Sequence, residues 1–402
     1  MSIQKNCGNP LVTDYKQYFP NQPLAQDLIE FNERCNYWIK NRSRIKDQHV
    51  ISIPRHYIDY FTKKELDIDN ITDFNSYNNS VGAIIPRFWV IGTITRRAVE
   101  RTWLTSSKAQ KDRVGSELRS MVQSPPGFCF VGADVDSEEY WLASIIRIKT
   151  SNEFMVASDA GIDRETAKIF NYARLYGASS FFAANLLKAT STSASGFSDS
   201  DLVYKAFKMT RSTKGMKNIF GKYTGGTESH FFNAVEENAL SPRTSTPFLN
   251  SSLNSFASRS RDFSRSNMRS LVNWVVQSSA VDFLHTLLVS IKWLSEYYGL
   301  KTMSITLTFH DEVRIMVREE EKAKAILCMQ VANLYTRSFF SHKMGMEDLP
   351  LSVAFFSSVE LDKCIRKDCQ DECITPSNPT GLLKEYSIPP GQSHPPESLN
   401  CY

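Results

Sequence analysis

Apolar and polar positions follow a strand pattern in two parts of the chain. Residues 127–135 read GFCFVGADV, a short apolar run that follows two prolines and is typical of a buried strand. Residues 305–309 and 313–317 read ITLTF and VRIMV, and they flank a tight insert at 310–312, which predicts a β-hairpin. The pattern therefore predicts at least three strands.

Helical spacing is the dominant pattern in other parts of the chain. It predicts helices around Leu24–Ile39, over 164–177 and over about 271–296. Residues 189–201 are small and polar and indicate a flexible loop or linker, whereas 241–270 are rich in Ser and Arg and indicate irregular backbone with phosphate-seeking side chains. The tail after Thr375 contains six prolines, so we expect it to be disordered or draped over the surface.

Composition narrows the class of protein only slightly. Hydrophobic residues at 42% and charged residues at 22% are ordinary globular values, and 402 residues are enough for two or three domains. The net charge of +4 permits a nucleic-acid partner without demanding one, because a local basic groove matters more than the total. We expect no membrane partner, since no apolar run approaches the roughly 20 residues that cross a bilayer. The N-terminus resembles neither a signal peptide nor a transit peptide.

The eight cysteines are scattered, without a paired CxxC spacing. Cys364, Cys369 and Cys373 could supply part of a zinc site, but no fourth ligand stands at a suitable spacing. Reduced thiols in an intracellular protein are the preferred interpretation.

Two carboxylates stand where a metal site could form. Asp134 ends the predicted strand, and Asp311 occupies the tip of the predicted hairpin. If both lie above one sheet, they could hold two Mg²⁺ ions, which prefer carboxylate oxygens and substrate phosphates. Two such ions stabilise the attacking and leaving oxygens of a phosphoryl displacement. Either aspartate alone is more often simply solvated, so the hypothesis depends on the pair.

Two further patterns on predicted helices suit a nucleotide and a nucleic acid. Four side chains recur every four residues and form one stripe of two cations followed by two aromatic rings: Arg164, Lys168, Tyr172 and Tyr176. Cations meet a triphosphate and rings meet a base. Asn273 and Gln277 share a face of the long helix, where amides can read the minor groove without regard to sequence. The alternatives are an exposed cationic helix and an amphipathic core helix.

These strings resemble the motifs of family A DNA polymerases, in the order that the family has them. VGADVDSEEYWLAS resembles motif A, RETAKIFNYARLYGA resembles motif B on the fingers helix, and FHDEVRIMV resembles motif C. The flanking strings GTITRRAVERTWLTSS, NWVVQSSAVDFLH and TPSNPTG resemble the mitochondrial (gamma) branch of that family. The resemblance covers the chain from about residue 8 to residue 381, with gaps.

The resemblance implies a role for each matching residue. Asp134 and Asp311 are expected to ligate two Mg²⁺ ions with help from the Val135 carbonyl, and Lys168 to donate a proton to the leaving pyrophosphate. Arg164 and Lys168 are expected to hold the triphosphate. Tyr172 and Glu139 are expected to form a gate that excludes ribonucleotides, and Tyr176 is expected to stack. The expected DNA contacts are those of Asn273 and Gln277 with the minor groove, of His310 with the primer end, and of Arg96 and Arg97 with the backbone. Glu312 is expected to stay near the metals without necessarily binding one.

The same resemblance implies an α+β right-hand fold. We expect an antiparallel palm sheet formed by 81–150 and 271–375, shortened helical fingers over 151–270, a segment leading in over 1–80, and a Pro-rich tail over 376–402. The thumb and the exonuclease domain are expected to be largely missing. The connection from Glu139 to Arg164 is shorter than in the family, and a histidine that the family uses on the triphosphate is absent from it.

The implied function is template-directed extension of a DNA primer in mitochondrial DNA replication. The expected partners are primer–template DNA, deoxynucleoside triphosphates and an accessory processivity subunit, although in relatives that subunit contacts a segment that is missing here. Mitochondrial location follows from the resemblance alone. Two alternatives stay open: a catalytically impaired module that only binds primer–template DNA, and a metal-dependent nuclease built on the same carboxylates. The second leaves the Arg–Lys–Tyr–Tyr stripe without a purpose.

Overall fold

The structure is a computed structural model in which fourteen stretches of the chain are described: 50–52, 83–84, 89–99, 116–135, 138–148, 172–173, 175–176, 185, 217–225, 228–240, 245–252, 265–346, 358–376 and 378–395. The predicted helix around Leu24–Ile39 and the linker at 189–201 lie outside these residues.

Within these stretches, the structure has eight strands, five α-helices and two 3₁₀ turns. The strands are β1 Val50–Ser52, β2 Ala83–Ile84, β3 Val122–Gln123, β4 Phe128–Asp134, β5 Ser304–Phe309, β6 Glu312–Arg318, β7 Val359–Asp362 and β8 Gln392–His394. The helices are α1 Glu138–Ile148, α2 Glu228–Leu240, α3 Arg265–Tyr297, α4 Lys322–Lys343 and α5 Leu382–Tyr386, with 3₁₀ turns at Ser116–Met121 and Glu319–Glu321. The predicted strand at 127–135, the hairpin and the long helix are confirmed.

A five-stranded antiparallel sheet is the centre of the fold. Its order is β5-β6-β4-β7-β8, so the strand predicted at 127–135 lies in the middle and pairs with both β6 and β7. β1, β2 and β3 form a small parallel sheet. All residues of β4 and β6 except the last of each are buried. This explains why β4 is an apolar run rather than a strict alternation, whereas β6 also buries the charged pair of Glu312 and Arg314.

The two faces of the main sheet pack against two different hydrophobic cores. Cys129, Val131 and Ala133 of β4 point into a large core that α1, α2, α3 and α4 complete. Rings tie these helices together: Trp141 and Phe283 lie 5.6 Å apart between centroids, and Phe283 and Phe340 lie 5.3 Å apart. Phe128 and Phe130 point to the opposite face, into a smaller core.

The Pro-rich tail forms part of the fold, so the expectation of a disordered or draped tail was wrong for residues 378–395. Leu382 of α5 and Ile388 are buried in the smaller core, and β8 pairs with β7 as the edge strand of the main sheet. The prolines flank these short elements. Burial of the apolar side chains between them outweighs the local bias toward irregular backbone.

A buried arginine crosses the sheet beside the only glycine of β4. Arg314 of β6 pairs with Glu312 at 2.8 Å and with Glu360 of β7 at 2.5 Å. A Cβ atom at Gly132, its cross-strand partner, would collide with the Arg314 Cδ atom. Gly132 therefore leaves the space through which this side chain reaches its two carboxylates.

The three clustered cysteines do not share one group of potential metal ligands among the residues that the structure describes, although Cys369 lies with Glu360 and Asp368, and the potential ligand atoms of these three residues are within 4.8 Å of one another. Cys364, Cys369 and Cys373 are buried free thiols, and Cys373 lies 3.0 Å from the Ser120 hydroxyl. Burial raises the pKa of Cys373 and of Cys369 to about 11 each. Such thiols stay protonated, in agreement with the preferred interpretation of reduced cysteines.

One described helix, α3, is long and apolar enough over Val272–Tyr297 to cross a membrane by length and composition. However, 67% of that window is buried inside the protein, and α3 packs against α1, α2 and α4. A core helix of a globular domain passes the same test, and we interpret α3 as such a helix.

Candidate active site

The two predicted metal-binding aspartates meet at one edge of the main sheet. Asp134 is the last residue of β4, and Asp311 lies in the turn between β5 and β6. β4 and β6 are paired, with Asp134 opposite Glu312, and the Val135 amide donates a 3.2 Å hydrogen bond to the Asp311 carbonyl. The turn closes because His310 adopts a left-handed φ of 56°. The pairing thus places the two carboxyl groups side by side, and a hydrogen bond joins them.

The electrostatics of this pair indicate a site that holds excess negative charge. Desolvation, the Asp134 charge and the Glu139 charge raise the pKa of Asp311 to about 8. The pKa of Asp134 is also raised, by desolvation first and by Glu312 second, although its side chain reaches solvent. Two adjacent carboxyl groups resist losing both protons because the second charge is repelled by the first. In the absence of a cation, the pair therefore retains a proton near neutral pH.

Glu312 follows Asp311 but takes part in a different network. Its carboxylate is buried and accepts hydrogen bonds from Arg119 and from Arg314. Arg119 and Arg314 outweigh desolvation and lower the pKa of Glu312, so it is ionised and already neutralised by two guanidinium groups. The expectation that it lies near the pair without necessarily binding a metal agrees with this arrangement.

The predicted gate residues are in contact. The Tyr172 hydroxyl donates a 3.2 Å hydrogen bond to Glu139 Oε2, in the first turn of α1. The rings of Tyr172 and Tyr176 lie 6.3 Å apart, and Gln277 of α3 is hydrogen-bonded to the Tyr176 hydroxyl. Desolvation and the Glu139 charge raise the pKa of both tyrosines, so both remain protonated. The aromatic half of the predicted stripe therefore faces the carboxylate edge.

The predicted DNA-contacting arginines make ion pairs within the protein. Arg97 pairs with Glu139 at 2.6 Å and lies 2.9 Å from His310 Nδ1, so it joins the gate to the turn that carries Asp311. Arg96 pairs with Asp282 at 2.7 Å and donates to the Ser278 carbonyl at 2.8 Å. Both guanidinium groups thus have protein partners, and their contact with a DNA backbone stays a prediction.

Of four further predicted residues, the structure describes two, Asn273 and His310. Asn273 is half-buried on α3, and its Oδ1 atom has no hydrogen-bond partner in the part of the chain that the structure describes. His310 is exposed, and desolvation followed by Arg97 lowers its pKa, so it is neutral. Arg164 and Lys168, the cationic half of the stripe, lie outside the described residues.

One residue near the site was missed from the sequence. Glu138 is 1% exposed, neither of its carboxyl oxygens has a partner among the described residues, and desolvation followed by Asp311 raises its pKa well above the usual range. It is a buried neutral acid beside Glu139. The sequence contains a signal for this burial. Glu138 stands three positions before Trp141 and four positions before Leu142, and this spacing places it on the apolar face of α1.

A DNA polymerase family and several of its members match this chain. The profile described as DNA polymerase family A matches residues 143–355, more than half of the chain, including Tyr172 and Asp311. Together with the antiparallel sheet and the carboxyl pair at its edge, this match defines the class of protein. The chain belongs to DNA polymerase family A.

The matching relatives are named DNA polymerase gamma, and two of the three names below include the word mitochondrial. The chain is 39% identical over 95% of its length to "DNA polymerase gamma, mitochondrial" of Neurospora crassa, 28% of which is covered. It is 38% identical over 96% of its length to "DNA polymerase subunit gamma-1, mitochondrial" of Drosophila melanogaster, 38% of which is covered. "DNA polymerase subunit gamma-1" of Gallus gallus is 35% identical, with 97% of this chain and 71% of that protein covered. The chain therefore spans well under half of the first two relatives.

A solved structure is similar at a more distant level. It is described as the POL domain of Pol1 from M. smegmatis in complex with DNA primer-template and dNTP, and it covers 75% of this chain and 51% of that one. The TM-score is 0.48 and the sequence identity is 18%, a likeness too weak to support an argument about this site.

Proposed function

We propose that this chain is the polymerase module of an enzyme that extends a DNA primer along a template with deoxynucleoside triphosphates. The observation that carries the proposal is the hydrogen-bonded pair of Asp134 and Asp311 at the edge of the sheet. Phosphoryl transfer needs little covalent chemistry from the protein and depends on positioning and on neutralising developing charge. A pair of carboxyl groups that share a proton is suited to exchange that proton for cations.

The donor set fits hard divalent cations, and we propose two Mg²⁺ ions. Carboxylate oxygens of Asp134 and Asp311 and the carbonyl of Val135 are ligands of the type that Mg²⁺ prefers. The raised pKa of Asp311, about 8, reports the unfavourable charge that a cation would relieve. When bound, such ions lower the cost of the negative charge that builds up on the transferred phosphoryl group. The residues themselves supply a fixed pair of oxygen donors on two paired strands.

On the nucleotide side, we propose that Tyr172 and Glu139 form a wall that excludes a ribose 2′-hydroxyl. The 3.2 Å hydrogen bond between them and the 2.6 Å ion pair from Arg97 hold the Glu139 carboxylate from two sides. A wall fixed in this way rejects an added hydroxyl by steric clash, which an accommodating pocket cannot do strongly. Tyr176 is proposed to stack on the nascent pair. Arg164 and Lys168 remain the proposed triphosphate ligands, with Lys168 as the proton donor to pyrophosphate.

On the DNA side, we propose that Asn273 and Gln277 read the minor groove and that His310 contacts the primer end. The unpartnered Oδ1 atom of Asn273 and the exposed ring of His310 support these roles. Arg97 acts first as a positioning residue, because its guanidinium group is shared between Glu139 and His310. Arg96 is the weaker candidate for a backbone contact, since a buried aspartate holds it.

The biological setting that we propose is mitochondrial DNA replication, on the strength of the relatives' names. An accessory processivity subunit stays a proposed partner. We also propose that residues 81–150 and 271–375 form the palm, with 151–270 as the fingers. The palm sheet includes β8 from the tail, and its long helix begins at Arg265.

A primer-extension assay tests the proposal. The purified chain is mixed with Mg²⁺, a labelled primer on a template and deoxynucleotides, and we expect the primer to lengthen. Asp311→Ala removes one ligand and should abolish extension, whereas Glu296→Ala, at an exposed glutamate on α3, should leave it unchanged. Equal extension by Asp311→Ala and the unaltered chain would remove the metal assignment.

Two other results would favour the alternatives. A folded chain that binds the primer–template with unchanged affinity yet never extends it would indicate a binding fragment that cannot close on a nucleotide. A primer that becomes shorter, in a reaction that needs Mg²⁺ and Asp311, would indicate a nuclease. Lengthening and shortening of the primer are visible on the same gel, and binding is measured separately by fluorescence anisotropy.

A further inference from the structure

A hairpin outside the carboxylate site exposes two large apolar side chains. Residues 217–225 form a tight turn whose tip carries Ile219, 94% exposed, and Phe220, 80% exposed. Single exposed apolar residues are common on protein surfaces, but adjacent side chains this exposed leave almost no surface covered by the protein. The tip therefore presents an aliphatic and an aromatic group directly to solvent.

The hairpin is held in one conformation by its own polar groups. Asn218 Oδ1 accepts hydrogen bonds from the amides of Phe220 and Lys222, both at 3.0 Å. The Asn218 amide donates to the Lys222 carbonyl at 2.8 Å, and Gly221 completes the turn with φ of 73°, a conformation that glycine adopts without strain. Because the turn is closed on both sides, the exposure of its tip is built into the local structure.

Side-chain contacts also fix the hairpin to α2. The Tyr223 amide donates to Asn233 Oδ1 at 2.8 Å, and Asn233 Nδ2 donates to the Tyr223 carbonyl at 2.9 Å. Lys217 pairs with Glu236 at 2.6 Å and lies 4.7 Å from the centre of the Tyr223 ring. A ligand that contacts the tip would therefore meet a pre-organised surface and lose little affinity to ordering.

A depression of about 420 Å³ adjoins the hairpin. Its polar lining combines one lysine, one histidine, two amides and one carboxylate: Lys222, His230, Asn233, Asn238 and Glu237. Apolar groups, including Val235 and Val275, form the rest of the wall. Proteins bind single-stranded nucleic acid without sequence preference by combining cations that follow the backbone with aromatic rings on which bases stack, and Lys222 in this lining stands two positions after Phe220.

The size and charge of the feature favour nucleic acid over a protein partner. A stable protein interface buries about 800 Å² on each side, whereas the apolar tip consists of two side chains, with Asn218 before them and Gly221 and Lys222 after them along the chain. The described hairpin contains two lysines and no acidic residue. A base stacked on Phe220, with a phosphate near Lys222, matches a tip of this size.

We propose that the hairpin 217–225 and the adjoining depression form an accessory site for single-stranded DNA, separate from the carboxylate pair. Ile146 lines the depression near the end of α1, seven positions after Glu139 in the first turn of that helix. At 1.5 Å per residue the two places lie about 10 Å apart along the helix. An unpaired template strand of a few nucleotides is long enough to span this distance. This inference rests on the proposed function, because it presumes that the chain binds primer–template DNA.

Fluorescence anisotropy with two labelled DNAs tests the proposal without nucleotides or metal. One DNA is a primer–template whose template strand ends one nucleotide past the primer, and the other has a long unpaired template strand. We expect the chain to bind the second DNA more tightly. Phe220→Ala should reduce that preference about fivefold or more, as expected for the loss of one stacked base. Phe220→Tyr keeps the ring and should retain the preference.

Salt dependence and a matched control sharpen the result. Lys222→Ala should lower the slope of log K against log salt by about 0.7 on the overhang DNA, as for the loss of one contact to a single-strand phosphate. Tyr297→Ala removes a ring that is 78% exposed on α3 and should leave the affinity for both DNAs unchanged.

The contrary outcomes separate this inference from the proposed function. If the unaltered chain binds both DNAs equally, or if Phe220→Ala weakens both equally, the hairpin does not hold single-stranded template and the inference is overturned. The same holds if Phe220→Ala binds both DNAs as the unaltered chain does. Failure of the unaltered chain to bind either DNA would overturn the proposed function as well.

Discussion

The Tyr172 hydroxyl donates a 3.2 Å hydrogen bond to Glu139 Oε2, and Arg97 holds the other oxygen of the same carboxylate at 2.6 Å. Tyr172 comes from motif B, Glu139 from the first turn of α1, and Arg97 from a turn far upstream. Each of the two carboxylate oxygens of Glu139 is thus fixed by its own partner. A side chain held in this way can act as a rigid wall, because it cannot move aside without breaking one of the two contacts.

We expect Glu139→Ala to lower discrimination against ribonucleotides by about tenfold or more, because it removes the wall that an added hydroxyl would meet. Tyr172→Phe removes only the hydrogen bond, worth about 0.5–1.5 kcal/mol, and should have a smaller effect. The measurement is the ratio of kcat/KM for a deoxynucleotide and its ribonucleotide. Glu296→Ala, at an exposed glutamate on α3, is the control. If Glu139→Ala and Tyr172→Phe both leave this ratio unchanged, Tyr172 and Glu139 do not form a gate against ribonucleotides.

Asp311→Asn should stabilise the metal-free chain while abolishing extension. The folded pKa of Asp311, about 8, lies above the ordinary value of 3.8, so the folded state holds a proton that the unfolded state has lost. Stability contributed by this group is therefore present at low pH and is lost as pH rises through that window. The variant removes the penalty, so its advantage in Tm should grow from pH 4 to pH 8 and then level off.

Thermal unfolding in EDTA across this pH range measures the effect, with roughly 1 °C expected for each kcal/mol relieved in a chain of 402 residues. Glu296→Gln, at an exposed glutamate on α3, should show no such trend. A constant Tm difference between the variant and the unaltered chain at all pH values would contradict the raised pKa.

Arg96→Ala should lower the free energy of unfolding by about 3–5 kcal/mol, because it leaves the buried carboxylate of Asp282 without its cation. Arg318→Ala is the matched control, since its 3.8 Å pair with Glu320 is exposed and is worth about 0–1 kcal/mol. Urea unfolding measures both. A stable Arg96→Ala protein with weakened DNA binding would indicate instead that this arginine serves mainly the DNA.

Leu382→Ala should cost about 2–5 kcal/mol of unfolding free energy, since Leu382 is fully buried in the smaller core. Its neighbour Leu383 is 50% exposed, and Leu383→Ala should fall within about 0.5 kcal/mol of the unaltered chain. The pair of variants tests by urea unfolding whether the tail is part of the fold. Equal stability of the two variants would mean that the tail does not pack on the sheet.

Strand β4, the β5–β6 hairpin and helix α3 were predictable from the sequence because each depends on local information. An apolar run after prolines, alternation around a tight turn and a long helical period are set by neighbouring residues. Asp134 and Asp311 were recognisable for the same reason, since each stands at the end of such an element. The identity of the family followed from the order of three short motifs.

Contacts between distant residues were decided only in the tertiary structure. Arg96 and Arg97 were expected on DNA, and nothing in their neighbourhood indicated that Asp282 and Glu139 would meet them. The prolines of the tail predicted irregular backbone, yet β8 completes the sheet. Charge pairing and apolar burial act across any separation along the chain, so the pattern near a residue identifies its chemistry, whereas its partners are set by the packing of the whole domain.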